Sequence, residues 1–231
     1  MKQNEEFYSR TRMLLGDDGI CRLKKAKVII FGIGGVGGHA AEAIARAGVG
    51  KIALIDADRV SVSNLNRQTV ALLSTVGTYK TEVMKNRILD INKDAEVLER
   101  REFYSPDNAC DFCLTEYDFI LDCIDSTRSK LHLISCAKEA GVPIISSMGT
   151  GNKLDPTRLK IADISKTHTD PLAKLIRVEL RKRGINHLPV VFSDEEPITT
   201  ESRTPSSVPF VPATAGLIMA GYVIRKLSGI E

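Results

Sequence analysis

A glycine-rich stretch, residues 27–58, restricts the possible folds of this chain more than any other feature. It reads KVIIFGIGGVGGHAAEAIARAGVGKIALIDAD: an apolar run, a G-x-G-x-x-G turn, an alanine-rich segment and a second apolar run. Continuous apolar runs are typical of strands buried on both faces. The order strand, glycine turn, helix, strand predicts a nucleotide-binding unit in which Gly32 opens the turn. Gly34 would then let a phosphate approach the backbone, and Gly37 would let helix and strand pack closely.

Each part of a nucleotide has a predicted place in this unit. The phosphates are expected at the N-terminus of the helix, where free N–H groups and the helix dipole favour negative charge. Asp56 follows the second strand, where its carboxylate can accept hydrogen bonds from ribose hydroxyls. Because most chains with this pattern bind a dinucleotide, the glycine turn alone leaves both NAD and ATP open.

The segments that follow alternate between helix-like and strand-like patterns. Helices are predicted at 80–91, 106–114 and 126–140, and strands near 97–98, 119–123 and 142–146. This alternation predicts an α/β fold: a Rossmann-like, doubly wound, mostly parallel sheet with helices on both faces. Residues 1–26 are expected to form a helical lead-in. Since ligands bind at the carboxyl ends of such strands, Asp56 and Asp125 should face one crevice.

The composition changes after residue 150, so we predict one domain over 1–150 and a C-terminal α+β extension over 151–231. In the extension we expect strands at 158–164 and 188–192, a helix at 171–182, a polar loop at 193–209 and an apolar closing helix at 212–227. That closing helix is expected to be too short to cross a membrane.

Basic charge is concentrated in the extension. Residues 151–190 contain nine basic and four acidic residues, although the whole chain carries a net charge of only +3. Clustered lysine and arginine can neutralise phosphates of a nucleic acid. A solvated helix face is the alternative explanation for the same charge.

Composition also indicates where the protein works. The N-terminal residues MKQNEEFYSR are polar, so no secretory signal is expected. Five cysteines, an odd number, fit a reducing compartment, and we predict a cytoplasmic protein without a membrane partner. Cys110 and Cys113 form one C-x-x-C in a predicted helix, where buried thiols are common. Without a second pair or histidines, a zinc site is not predicted there.

The residues after the glycine turn carry a family resemblance. Asp56-Ala-Asp58, Asn64-Leu-Asn66-Arg67-Gln68, Lys80 and Asp125 occur in an order that resembles the ubiquitin-activating-enzyme-like adenylyltransferases, over residues 8–150. The resemblance implies that 1–150 is an ATP-binding adenylation domain that uses Mg²⁺. The residues that it implies for nucleotide binding are Gly32, Gly34, Gly35, Gly37, Asp56, Asn64, Arg67, Gln68 and Lys80.

The same resemblance implies roles in catalysis. Asn64 and Arg67 would face the phosphates, Lys80 the α-phosphate, and Asp125 would hold the magnesium ion. Such cations are needed because adenylation builds negative charge on the α-phosphate and on departing pyrophosphate. The implied catalytic residues are Arg10, Arg67, Lys80 and Asp125, with Arg10 reaching the partner's active site in a homodimer.

The extension resembles one branch of this family, the tRNA threonylcarbamoyladenosine dehydratases. The similar segments include Ser147–Thr157, 162–167 and 170–172. The resemblance implies ATP-dependent cyclisation of threonylcarbamoyladenosine beside a tRNA anticodon, through adenylation of the threonyl carboxylate and intramolecular ring closure. The basic residues would then bind the tRNA: Lys166, Lys174, Arg177, Arg181, Lys182 and Arg183.

An alternative function is activation of the C-terminal Gly-Gly of a sulfur-carrier or ubiquitin-like protein. Such enzymes usually need a downstream cysteine nucleophile, and this chain has no cysteine after Cys136. The sequence therefore favours the tRNA reaction. It leaves open which atom attacks, which basic residues contact tRNA, whether Cys110 and Cys113 have a role, and whether a sulfurtransferase-system partner exists.

Overall fold

A single seven-stranded sheet forms the centre of the molecule. The computed structural model describes residues 2–201 and 204–230. The strands are β1 (Lys27–Phe31), β2 (Lys51–Ile55), β3 (Glu96–Arg100), β4 (Phe119–Asp122), β5 (Ile144–Ser147), β6 (Leu159–Asp163) and β7 (Pro189–Ser193). Their order is β3-β2-β1-β4-β5-β7-β6, and every neighbouring pair is parallel except β6 with β7. The predicted doubly wound, mostly parallel sheet is confirmed.

In the part of the chain that the structure describes, six α-helices connect or flank these strands: α1 (Lys2–Lys25), α2 (Gly37–Arg46), α3 (Lys80–Ile91), α4 (Thr127–Glu139), α5 (Pro171–Lys182) and α6 (Phe210–Ser228). The lead-in helix α1 is interrupted at Gly16, whose φ of 70° and ψ of 175° are not helical.

The helix predicted at 106–114 is wrong, because the structure has a 3₁₀ helix at Pro106–Asp111 and a separate 3₁₀ turn at Leu114–Glu116. The Asn108 side chain accepts from Ser105 N and donates to Phe103 O, so local side-chain bonds compete with a longer helix. Cys110 and Cys113 are exposed rather than buried.

Alternate residues of β1 and β2 enter two hydrophobic cores on the two faces of the sheet. Val28 and Ile30 pack with α2 and α6, whereas Ile29 and Phe31 pack with residues of α4 and α5. All four side chains are at most 1% exposed. Such strands read as continuous apolar runs because both faces are covered.

The C-terminal extension continues the same sheet. β7 pairs with β5 through Ser146 and Val190, and α6 packs on α2. Contact between these helices is close, since a Cβ at Gly216 would lie 2.3 Å from Val36 O. The boundary at residue 150 stays a prediction about how the chain divides into domains.

The closing helix is longer than the sequence indicated. α6 has 19 residues, so by length and composition alone it is able to cross a membrane, and the prediction that it is too short is wrong. One face of α6, with Val211, Ala215, Met219 and Val223, is completely buried in the core. The helix is therefore a core element of the fold.

Candidate nucleotide-binding site

A cavity of about 1000 Å³ lies at the carboxyl ends of β1, β2, β4 and β5. The sheet order reverses between β1 and β4, and doubly wound sheets bind ligands at such a point. The cavity lining brings together nine of the predicted site residues: Gly32, Gly34, Gly35, Asp56, Asn64, Arg67, Gln68, Lys80 and Asp125.

The glycine turn connects β1 to α2 through close backbone contacts. Gly32 has a φ of 88°, and a Cβ there would lie 2.7 Å from Cys123 O. A Cβ at Gly37 would lie only 1.8 Å from Gly32 O, so this position lets the helix approach the turn. Gly37 is not among the lining residues of the described chain. No side chain of the described residues caps the start of α2. Gly38 N donates to Gly34 O at 3.0 Å, and the neighbouring amides that lack such a partner remain available to an anion.

Asp56 joins the glycine turn to the end of β2. Its carboxylate accepts hydrogen bonds from Ile33 N at 2.7 Å and Asp58 N at 2.8 Å, one on each oxygen. Burial raises the pKa of Asp56 above its usual range, although the positive charge of Lys80 opposes this shift. Each oxygen keeps a second lone pair, so the ionised carboxylate can still accept a ribose hydroxyl.

A lysine and an aspartate form an ion pair beside this carboxylate. Lys80 is the first residue of α3, its side chain is only 6% exposed, and its Nζ lies 2.7 Å from Asp58 Oδ2. Asp58 is half exposed, so the pair borders the cavity rather than the core. The contact with Asp58 gives the Lys80 ammonium a fixed position in the cavity wall.

The polar loop after β2 supplies three further groups. Arg67 donates to Ser63 O at 3.0 Å, and Asn64 Oδ1 accepts from Ser61 N at 3.1 Å. Gln68 is 92% buried, yet its Oε1 has no hydrogen-bond partner in the described chain. Buried polar atoms are almost always paired, so this oxygen in the cavity lining fits a site that receives a donor from a ligand.

Asp125 follows β4 in an exposed position, and its carboxylate accepts no hydrogen bond from the described residues. The described chain contains no cluster of three metal-ligating side chains. This donor set suits Mg²⁺, which is often held by one or two carboxylates together with substrate phosphates. It does not suit a metal held by protein ligands alone.

A single cysteine lines the cavity in the described part of the chain. Cys123 lies directly after β4, and burial raises the pKa of its thiol to about 12. Because the thiolate is the nucleophilic form, this protonated thiol is poorly suited to attack an acyl group near neutral pH.

Residues after β5, β6 and β7 form another part of the cavity wall. They include 148–153, 170–172 and 204–207. Lys153 Nζ lies 3.1 Å from Asp170 Oδ2 and donates to Ser193 O, and both side chains are at most 1% exposed. Asp170 also caps α5 through Ala173 N. This ion pair fixes the part of the wall that the nucleotide motifs do not supply.

Comparison with known proteins shows the family of this chain. The model of the ThiF family matches residues 8–231. The chain belongs to the ThiF family. A tRNA threonylcarbamoyladenosine dehydratase of Bacillus subtilis is 45% identical, and the alignment covers 95% of this chain and 94% of the relative.

Solved structures of a tRNA threonylcarbamoyladenosine dehydratase are also similar to this chain. The dehydratase of Escherichia coli has been crystallised in complex with ATP, at 34% identity and a TM-score of 0.92, over 98% of this chain and 95% of that chain. The same enzyme in complex with AMP is 35% identical, with the same TM-score and coverage.

Arg10 lies apart from the cavity in this ThiF-family chain. It is an exposed residue of α1 and is not among the residues that line the cavity of its own chain, as far as the structure describes them. The structure therefore does not bring Arg10 together with the other predicted catalytic residues.

The predicted tRNA-binding residues fall into two groups. Arg177 donates to Thr167, Arg183 to Leu131 O and Ser135, and Lys182 pairs with Glu179. The side chains of the other three form no hydrogen bond or ion pair with any described residue, and all three residues are exposed: Lys166, Lys174 and Arg181. Two basic residues outside the prediction, Arg158 and Lys160, are also engaged, since Lys160 and then Arg158 lower the pKa of Asp194 to about 2.

Some features of the site were missed from the sequence. Asp58 was part of the family pattern without an assigned binding or catalytic role, and the structure pairs it with Lys80. The Lys153–Asp170 pair was not predicted, because the two residues lie in separate segments of the family resemblance and nothing in the sequence indicates that they are in contact. Asn66 was part of the family pattern without a role, and the structure places it between Arg67 and Ser207.

Proposed function

We propose that this protein catalyses the ATP-dependent dehydration of threonylcarbamoyladenosine in tRNA, beside the anticodon. A full-length relationship to dehydratases supports it, together with a cavity that gathers the predicted nucleotide-binding residues. The observation that carries most weight is the E. coli dehydratase with ATP, since its likeness covers the fold of this chain almost completely.

The proposed reaction has two steps. An oxygen of the threonyl carboxylate attacks the α-phosphorus of ATP, and pyrophosphate leaves. A nucleophilic atom of the same modification then attacks the acyl carbon, the ring closes, and AMP leaves with the carboxylate oxygen. One proton is released at ring closure, and the nucleoside has lost the elements of water. An acyl-adenylate is required because oxide is a poor leaving group.

The residues of the cavity would supply the charge for these steps. Lys80 and Arg67 would meet the negative charge that develops on the α-phosphate and on pyrophosphate. Asp56 would hold the ribose, and the glycine turn would bind phosphate oxygens at the start of α2. Fixed cations in the cavity wall stabilise this charge without reorganising during the reaction.

Asp125 would hold a magnesium ion through its unpaired carboxylate. When bound, Mg²⁺ would neutralise part of the triphosphate charge. The exposed position of Asp125 leaves room for water and phosphate oxygens around the ion.

A homodimer would complete the site with Arg10 of the second copy. Support comes from Met13 and Leu14, which are each 83% exposed on the same helix and suit a covered surface. Mixing Arg10→Ala subunits with Lys80→Met subunits should restore activity that each lacks alone, because one site of a mixed dimer keeps both groups. Absence of restoration in proven mixed dimers would mean that Arg10 does not act across the interface.

The tRNA would be held by the three unengaged basic residues of the extension, Lys166, Lys174 and Arg181. Lys174 and Arg181 are two turns apart on α5 and therefore share a face. A cytoplasmic location would bring the enzyme to its substrate.

The function is tested by measuring AMP and pyrophosphate in the presence of different substrates. Release should require tRNA that carries threonylcarbamoyladenosine and should be absent with unmodified tRNA. Stimulation instead by a small protein ending in Gly-Gly would support the adenylyltransferase alternative. That alternative also needs an acyl acceptor, for which the buried Cys123 thiol is poorly suited.

A further inference from the structure

Residues 204–207 form a part of the cavity wall that contributes no known motif. They follow β7, whereas the predicted nucleotide-binding residues all lie between β1 and α3. The cavity volume of about 1000 Å³ is at the upper end of the range for small-molecule sites, which leaves space beside a nucleotide. We call residues 204–207 the wall segment.

Asn152 holds the wall segment from the β5 side. Its N–H donates to Ser206 O at 2.8 Å, and its Oδ1 accepts from Ser206 N at 2.7 Å. Its backbone carbonyl accepts from Ile198 N at 2.8 Å. Asn152 has a φ of 58°, a left-handed conformation that asparagine and glycine tolerate best. One residue thus fixes two positions of the chain that follows β7.

Asn66 holds the wall segment from the nucleotide side. Its Nδ2 donates to Ser207 O at 3.0 Å, and its Oδ1 accepts from Arg67 Nη1 at 2.8 Å. The orientation of this amide is determined by chemistry, because a guanidinium only donates and a carbonyl only accepts. One side chain therefore connects the wall segment to the arginine proposed to face the phosphates.

We propose that Asn66 and Asn152 are positioning residues for the acyl substrate, which they serve by fixing the wall segment in the cavity. This inference rests on the proposed function, since the acyl substrate is the threonylcarbamoyl group of the tRNA. Asn152 acts on the chain that follows β7 and, among the described residues, forms no hydrogen bond with a predicted nucleotide-binding residue. Asn66 acts on both substrates, because it also orients Arg67.

The two asparagines predict different kinetic effects. Asn152→Gly keeps the left-handed backbone and removes the bond to Ser206 N, so KM for modified tRNA should rise about fivefold, as expected for one hydrogen bond. ATP affinity, measured by calorimetry without tRNA, should stay within about twofold. Asn66→Ala should weaken the binding of both ATP and modified tRNA. Asn86→Ala, at an exposed asparagine of α3, should change the binding of neither. An unchanged tRNA KM in Asn152→Gly, or an equal loss of ATP affinity, would overturn the proposal.

Hydrogen exchange in the free protein separates this inference from the proposed function. The amides of peptides that contain Ser206 should exchange faster in Asn152→Gly and Asn66→Ala than in the wild type. In Asn86→Ala they should exchange at the wild-type rate. Unchanged exchange in the first two variants would overturn the positioning role. If the wild type failed to convert modified tRNA while exchange responded as expected, the proposed function would be rejected, and with it the assignment of the wall segment to an acyl substrate.

Discussion

Replacing Gly37 by alanine should destabilise the protein because the added methyl group meets a backbone oxygen. The new Cβ would lie 1.8 Å from Gly32 O, whereas Cβ atoms do not approach other atoms closer than 3.0 Å. The start of α2 and the glycine turn must therefore separate by about 1 Å. Overpacking of this kind costs about 3 kcal/mol at the upper end of its usual range. Alanine recovers at most about 1 kcal/mol through its helix propensity.

The net loss of about 2 kcal/mol corresponds to a fall in Tm of about 4–8 °C for a chain of this size. Calorimetry or circular dichroism of the unliganded protein measures it directly. Gly34→Ala is the matched control, because its nearest neighbour would be Gln68 Nε2 at 3.8 Å. It should melt like the wild type but bind ATP more weakly, since Gly34 lines the cavity. A Gly37→Ala protein that melts like the wild type would refute this account of the turn.

Four other changes test the chemistry of the site. Lys80→Met should lower the single-turnover rate of AMP formation by about 100-fold or more, because it removes the cation that we propose to face the α-phosphate. The affinity for ATP should fall when acidification protonates Asp56, and the pKa of this fall should lie above the usual aspartate range because burial raises the pKa of Asp56. The Asp56→Asn protein should bind ATP weakly at all pH values. Replacing Lys174 and Arg181 by alanine should reduce the salt dependence of tRNA binding by about one unit of slope per residue. Cys123→Ala should keep its turnover, because the buried thiol stays protonated.

Each of these changes has a control or a contradictory outcome. Lys85→Met, on the same helix as Lys80 but outside the cavity lining, should keep the wild-type rate. Lys93→Ala with Lys138→Ala removes two exposed basic residues outside the extension and should leave the salt slope unchanged. If the ATP affinity of Asp56→Asn still fell on acidification, the titrating group would be one other than Asp56. Loss of turnover in Cys123→Ala with an unchanged Tm would indicate that the Cys123 thiol takes part in the reaction.

The glycine turn and the apolar strands made most of the fold predictable. Val28–Phe31 is apolar throughout because both faces of β1 are covered, and this pattern needs no tertiary information to be recognised. Asp56 follows β2 and Asp125 follows β4, two parallel strands that flank β1, so their meeting at one cavity was a consequence of topology. The positions of Lys80 and Arg67 at the same cavity were predicted from the family resemblance, because no local sequence signal indicates them.

The parts that were not predictable depend on contacts distant in sequence or on local competition. The Lys153–Asp170 pair and the bond from Asn66 to Ser207 join residues from separate elements, and no periodicity marks them. The 106–114 segment had proline at a suitable helical position, but Asn108 bonds its own neighbouring backbone and limits the helix to a 3₁₀ segment. Charge alone did not distinguish Arg177, which is bonded to Thr167, from Lys174, which is unengaged.

The central claim is that the cavity brings fixed positive charge to a triphosphate so that a carboxylate can be adenylated. Modified tRNA whose threonyl carboxylate carries heavy oxygen tests this directly, through the mass of the AMP released. The account predicts that one heavy oxygen appears in the phosphate of AMP. Heavy oxygen recovered only in water or in inorganic phosphate, with unlabelled AMP, would contradict it.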